Sequence, residues 1–232
     1  MRKNYFLGFG ITGLLVSNIS VAQFQTGEKI AGAGLNFTSS SQNTYSGLTP
    51  VDYRSSGINL AFDFGFAKKE SRLNGFFVDA GYNVSKTIYP TQGSSNYESD
   101  GYTAGAGWFS RRYKPAGKSF FLFAEGRIGV NYSDRQYTNN YYSKEKSYGL
   151  NAGIFPGVAY RTGKRLLLEL KFADFVSIGY SQTEAVLSYN DKKEKRKNFI
   201  FGSSLGLGYL NNFGIGAKWI IPAKGKSIKT GH

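Results

Sequence analysis

The residues Phe199 to Ile221, FIFGSSLGLGYLNNFGIGAKWII, separate into two surfaces when every second side chain is taken. The odd positions run from Phe199 and Phe201 through Leu205, Leu207, Tyr209 and Phe213 to Trp219 and Ile221, and ten of the twelve are apolar or aromatic. The even positions include Gly202, Ser204, Gly206, Gly208, Gly214, Gly216 and Lys218, all small or polar. Successive side chains of a β-strand point to opposite faces, so the pattern predicts one uninterrupted strand with a bulky apolar side and a narrow hydrophilic side. A soluble barrel turns its bulky side inward. Here the glycine-rich, charged side is the one that fits a narrow interior, which places the bulky side against lipid.

The same alternation recurs upstream. Ala33, Leu35 and Phe37 oppose Gly32, Gly34 and Asn36, and Ile58 to Phe66 oppose Asn59, Ala61, Asp63 and Gly65. Segments with the same period follow at 76–84, 102–109, 120–132, 148–161 and 166–180. With the final strand they make eight, the even number that closure of a single-chain bacterial barrel requires. The expected fold is therefore all-β: a closed, antiparallel, up-and-down transmembrane β-barrel of eight strands. Connections are expected to alternate between short basic turns (Ala67–Gly75, Lys114–Ser119, Thr162–Lys164) and long polar loops (Thr44–Ser55, Thr87–Ser99, Asp134–Lys146, Gln182–Asn198). Pro156 cannot donate to a ladder and predicts a bulge.

Aromatic spacing supports the membrane reading. Outward Phe120 and Tyr132 lie twelve residues apart, as do Tyr148 and Tyr160. That span rises ~30 Å in a tilted strand, enough for an apolar band with an aromatic girdle at each edge. Trp108 and Trp219 face outward near the short-turn end, where amphipathic rings favour an interface.

The chain has 232 residues with 19% charged and 16% aromatic residues, 30 glycines and no cysteine, which excludes disulfides and thiolate metal sites. Residues 1–22 read as a secretory signal peptide: Arg2 and Lys3, a short apolar run from Phe6 to Val16, then Ser20 and Ala22 before cleavage after Ala22. Residues 23–221 form the barrel domain, and 222–232 a basic periplasmic tail.

The inward charges expected in such a barrel are Asp63, Asp79, Glu125 and Glu169 against Arg111, Arg127, Arg161, Lys171 and Lys218. Buried singly each is costly, whereas a hydrogen-bonded network satisfies them together, so they are read as a plug of ion pairs. The alternative is a narrow pore with charged walls. No catalytic, cofactor-binding or metal-binding set is visible. The single histidine is His232, at the chain end, and neither Gly117-Lys118-Ser119 nor Gly225-Lys226-Ser227 completes a phosphate-binding loop. The net charge of +14 finds its expected partner in anionic lipid rather than nucleic acid, since no recognition helix is visible. Lys192, Lys193, Lys195, Arg196 and Lys197 crowd the last long loop as a candidate extracellular anion-contact site for lipopolysaccharide phosphates, on a hairpin expected to project outward.

The run AGIFPGVAYRTGKRLLLEL (Ala152 to Leu170) and the segment FSRRYKP (Phe109 to Pro115) resemble the outer-membrane β-barrel domain family of Gram-negative bacteria, the small OmpA/OmpX-type barrels. The resemblance implies insertion by the outer-membrane assembly machinery, a monomer, and a role in membrane integrity, adhesion or lipopolysaccharide contact, with an extracellular ligand as a further partner. Two departures are Asp174, read as outward-facing in FADF, and the tail beyond the last strand. A passive channel is the alternative role. A soluble lipocalin-like lipid carrier is the third, and it requires the bulky face to lie inside.

Overall fold

The computed structural model describes residues 24–46, 49–88, 96–138, 141–172, 174–203 and 212–223. The proposed signal peptide, most of the tail, His232 and the odd-face residues Leu205, Leu207 and Tyr209 lie outside the described residues.

Ten strands form one antiparallel sheet: β1 (Lys29–Ser46), β2 (Thr49–Lys69), β3 (Arg72–Ile88), β4 (Tyr97–Pro115), β5 (Phe120–Thr138), β6 (Tyr142–Arg161), β7 (Leu166–Phe172), β8 (Val176–Leu187), β9 (Lys193–Ser203) and β10 (Asn212–Ile221). Each of β1 to β6 pairs with the strand that follows it. β10 joins β7 on one side and β1 on the other, so eight strands close into a ring. Closure leaves no exposed edge around that part of the wall, the property that lets a sheet sit in hydrocarbon.

The seventh expected strand is interrupted, with β7 and β8 as its successive parts. β9 and β10 belong to the eighth, whose residues 204–211 lie outside the described residues. β7 pairs with β10 up to Phe172↔Phe213, and β8 resumes with β9 at Val176↔Ser203. Three residues fill the gap on one strand and nine on the other, so Phe199 to Ile221 cannot be one continuous ladder. The break faces Pro156. Between Gly157↔Lys171 and Ile154↔Val176, two residues of β6 oppose four of its partner, a bulge at a residue that has no N–H to donate.

The hairpin ends also differ from expectation. Pairing of β1 with β2 continues to Ser46↔Thr49 and that of β5 with β6 to Gln136↔Lys144, so much of each expected long loop is strand. The lysine-rich segment is strand as well. Lys193 to Lys197 lie in β9, paired with β8, and only Lys192 belongs to the connecting turn.

Burial follows the alternation. In β5, Phe121, Phe123 and Glu125 are buried, while Phe120, Ile128 and Val130 are exposed. In β3, Phe77 is buried between exposed Phe76 and Val78. Inward glycines make room for their neighbours: a Cβ on Gly157 would run into the Phe123 ring, and one on Gly75 into the Phe64 carbonyl and the Phe109 ring.

Candidate functional site

The lumen is layered along the barrel axis. At the short-turn end the inward positions are bulky. Phe24, Ile30, Leu73, Phe109, Phe121, Leu167 and Ile220 form a dry cluster, with each side chain essentially inaccessible. Phe24, upstream of β1, is held by its N–H donating to the Glu70 carbonyl (3.2 Å), and its ring packs 5.2 Å from that of Tyr113. Apart from Phe24, which precedes β1, these residues have the inward parity of their strands, but their convergence into a core depends on strand stagger.

Above this cluster lies a layer of charge. The Arg111 guanidinium donates to Glu125 from Nε (2.7 Å) and Nη2, and from Nη1 to Glu169 Oε1 (2.5 Å) and the Tyr113 hydroxyl (3.0 Å). Arg127 donates to Glu125 and to Asp63 Oδ1 (3.3 Å), while Lys218 is bonded to Asp63 and lies 3.8 Å from Glu169. Lys171 reaches Glu125 at 3.8 Å. Aromatic faces complete the layer, with Arg111 4.8 Å from the Phe123 ring centre and Arg127 4.3 Å from that of Phe77. Seven of the nine expected network residues thus come together, drawn from five strands. The other two do not. Arg161 is spent at the short-turn rim, donating to the carbonyls of Gly163 (3.1 Å) and Lys164 (2.9 Å). Asp79 stands on the wall above the layer and accepts from Asn59 Nδ2 at 3.3 Å.

The upper lumen is not filled. A cavity of about 640 Å³ extends from the charge layer toward the long-hairpin end. Arg127, Lys171 and the Phe155 ring are at its floor, and asparagines of four strands line its wall. Asp174, in the non-strand break after β7, is also among the residues that line this cavity.

The outer surface is apolar across the middle of the wall and aromatic at its margins. Phe120 and Tyr160 pair across β5 and β6 with ring centres 4.8 Å apart, and Tyr132 and Tyr148 pair at 5.2 Å twelve residues higher. Trp108 and Trp219 are exposed near the short-turn end, Trp108 against Phe66 and Phe76. Beyond the Tyr132–Tyr148 level the outer face turns polar. Lys193, Lys195 and Lys197 continue the pleat of exposed Phe199 and Phe201, and Lys195 pairs with Glu184 at 3.0 Å. Arg196, of opposite parity, is bonded to Glu145 and lies 4.7 Å from the centre of the Tyr142 ring, so it is not a free member of that basic stripe.

Charge inside, hydrocarbon outside and a closed ring define a β-barrel of the transmembrane, up-and-down kind. Among solved structures the chain is similar to the outer membrane protein OprG from Pseudomonas aeruginosa, at 13% identity over 84% of this chain and 96% of that one, with a TM-score of 0.46. It is also similar to Neisserial surface protein A, at 16% identity over 84% and 97% of the two chains with a TM-score of 0.33. A third is Ail, the attachment invasion locus protein of Yersinia pestis, at 11% identity over 85% and 100%, with a TM-score of 0.34. No family model matches the chain, and no curated protein matches it in sequence.

Proposed function

We propose that the chain is an exported, monomeric, integral outer-membrane β-barrel whose role is structural and interactive rather than catalytic or conductive. One observation carries this reading: the lumen is occupied by an aromatic layer and then an ion-pair layer, while the outer wall carries the apolar side chains. An ion crossing such a barrel would have to displace Arg111 and Glu125, both essentially inaccessible and mutually bonded. The termini and short turns then face the periplasm, and the extended hairpins face outward.

Contact with lipopolysaccharide is the interaction the surface favours. Lys193, Lys195 and Lys197 on β9, with Lys144 and Lys146 on β6 across the intervening β8, begin at the aromatic level, the height of lipid phosphates, and outnumber the Glu184 and Asp134 carboxylates they pair with. Lysine ammonium groups meet phosphate as point charges and need no fixed geometry. The experiment is planar-bilayer recording of protein refolded with lipopolysaccharide. Insertion without sustained conductance is expected. Stepwise single-channel currents would assign the passive channel instead, and recovery in the soluble fraction after cell lysis would favour a lipid carrier.

A further inference from the structure

The cavity above the charge layer has features that a passive membrane anchor does not require. Asn36 of β1, Asn59 of β2, Asn131 of β5 and Asn151 of β6 all present side-chain amides to it. Those of Asn36, Asn131 and Asn151 make no hydrogen bond among the described residues. The Oδ1 of Asn59 is buried without a partner, although its Nδ2 is fixed on Asp79. Each amide offers both a donor and an acceptor, so the ring of amides is matched to hydroxyl groups, which do the same.

The floor is cationic. The layer beneath contains three carboxylates (Asp63, Glu125, Glu169) and four cations (Arg111, Arg127, Lys171, Lys218), one positive charge in excess within the layer itself, while Asp79 and Asp174 line the cavity above it. Lys171 is its least engaged member. Its ammonium is 3.8 Å from Glu125 and 5.5 Å from the Phe155 ring centre, donates no hydrogen bond among the described residues, and its side chain keeps 16% exposure. Three N–H donors at the bottom of a cavity, where the effective dielectric is lower than that of water, attract an anion more strongly than the same group in water.

We propose that this cavity binds a small polyhydroxylated anion: a sugar acid or sugar phosphate, its charged group on Lys171 with Arg127 alongside and its hydroxyls on the asparagine amides and Asp79. The volume of about 640 Å³ is within the range of small-molecule sites. An inorganic anion would engage only the floor and leave the amide ring unused. A neutral sugar would leave the Lys171 ammonium without a direct partner.

The test is isothermal titration calorimetry on the full chain refolded in detergent micelles, with glucuronate, glucose 1-phosphate, glucose and inorganic phosphate as probes. Side-chain amide resonances of asparagine, followed by NMR, report occupancy of the wall. Saturable binding of glucuronate, glucose 1-phosphate or both is expected, with glucose and inorganic phosphate at least about tenfold weaker, the loss of one charge-assisted hydrogen bond or of the hydroxyl contacts. Which of the two acids binds more tightly distinguishes carboxylate from phosphate ligands. Lys171→Met is expected to weaken binding about tenfold while Lys171→Arg retains it. Asn131→Leu, above the charge layer, provides a variant that leaves the ion pairs in place and is expected to weaken the sugar acids and not inorganic phosphate. Absence of binding by both acids, equal binding of glucose or of inorganic phosphate, or full affinity in both Lys171→Met and Asn131→Leu would overturn the proposal. Because the cavity lies above the plug, none of these results depends on whether the barrel conducts.

Discussion

Arg111 shows at the scale of one side chain why the interior needs the residues it has. It is 1% exposed and surrounded by carboxylates at 0% (Glu125) and 6% (Glu169) side-chain exposure. A planar guanidinium satisfies both at once, with a further donor left for the Tyr113 hydroxyl, whereas a lysine at that position could not reproduce the fork. Arg111→Met is expected to destabilise the barrel by about 3–5 kcal/mol, because it leaves buried carboxylates short of a counter-charge. Urea unfolding in lipid vesicles measures it, and an unchanged midpoint would mean that the layer is hydrated. Parity made this pairing half legible in the sequence. Arg111, Glu125 and Glu169 all fall on the inward alternation, and so do Asp79 and Arg161. What separates them is height, which follows from stagger: Arg111 sits opposite Glu125 across β4 and β5, Asp79 opposite Ala61 and Gly105, and Arg161 at the end of its strand. Alternation carries no information about stagger, so the network's membership was not readable from sequence.

At the scale of the element, the extended hairpins explain the segments that read as loops. Asp134 to Lys146 is polar on both faces, because beyond the membrane neither face meets lipid or a dry core. The period-2 signal therefore vanishes while the ladder continues to Gln136↔Lys144. Tyr137 and Glu145 mark that continuation, with the phenol donating to Glu145 Oε2 at 2.5 Å. Burial, followed by the hydrogen bond to this carboxylate, pushes the Tyr137 pKa up to about 12. A folded-state value above the ordinary one of about 10 means that the folded protein holds the proton more tightly. The associated stability is thus fully present below pH ~10 and is lost as the pH rises through about 12. Ultraviolet titration of the phenolates is expected to show this tyrosine ionising late together with Tyr141, which its hydrogen bond with Tyr189 likewise pushes up to about 12, and Tyr137→Phe to lower the amplitude of the late step by one phenol. An unchanged late amplitude in Tyr137→Phe would show that the hairpin is unpaired at this level. The register break at Pro156 had a visible cause in the sequence, a residue with no N–H. The surplus residues opposite it, Phe172 to Phe175, carried a single irregularity, Asp174 at a position of outward parity.

For the whole molecule, the decisive property is the depth dependence of the outer wall. A soluble barrel with a few exposed rings would tolerate charge on any outward position about equally. A barrel in a bilayer tolerates it only near the interfaces, because the cost of an arginine falls from about 2–4 kcal/mol at the midplane to about 0–1 near the headgroups. Ile154 lies midway between Tyr148 and Tyr160 on β6, faces outward and is 49% exposed. Gln182 pairs with Tyr148 on one side and Lys197 on the other, at the aromatic level where the lysines begin. Ile154→Arg is therefore expected to destabilise the refolded protein in vesicles by about 2–4 kcal/mol, and Gln182→Arg by no more than about 1 kcal/mol. Neither side chain belongs to the charge layer, so the difference between the two variants reports the surroundings of the barrel and not its interior. Repeating the pair in short-chain detergent, where hydrocarbon is thin and water-permeable, should shrink the difference. Equal and small costs for both in vesicles would remove the bilayer from the outer wall, and with it the outer-membrane role.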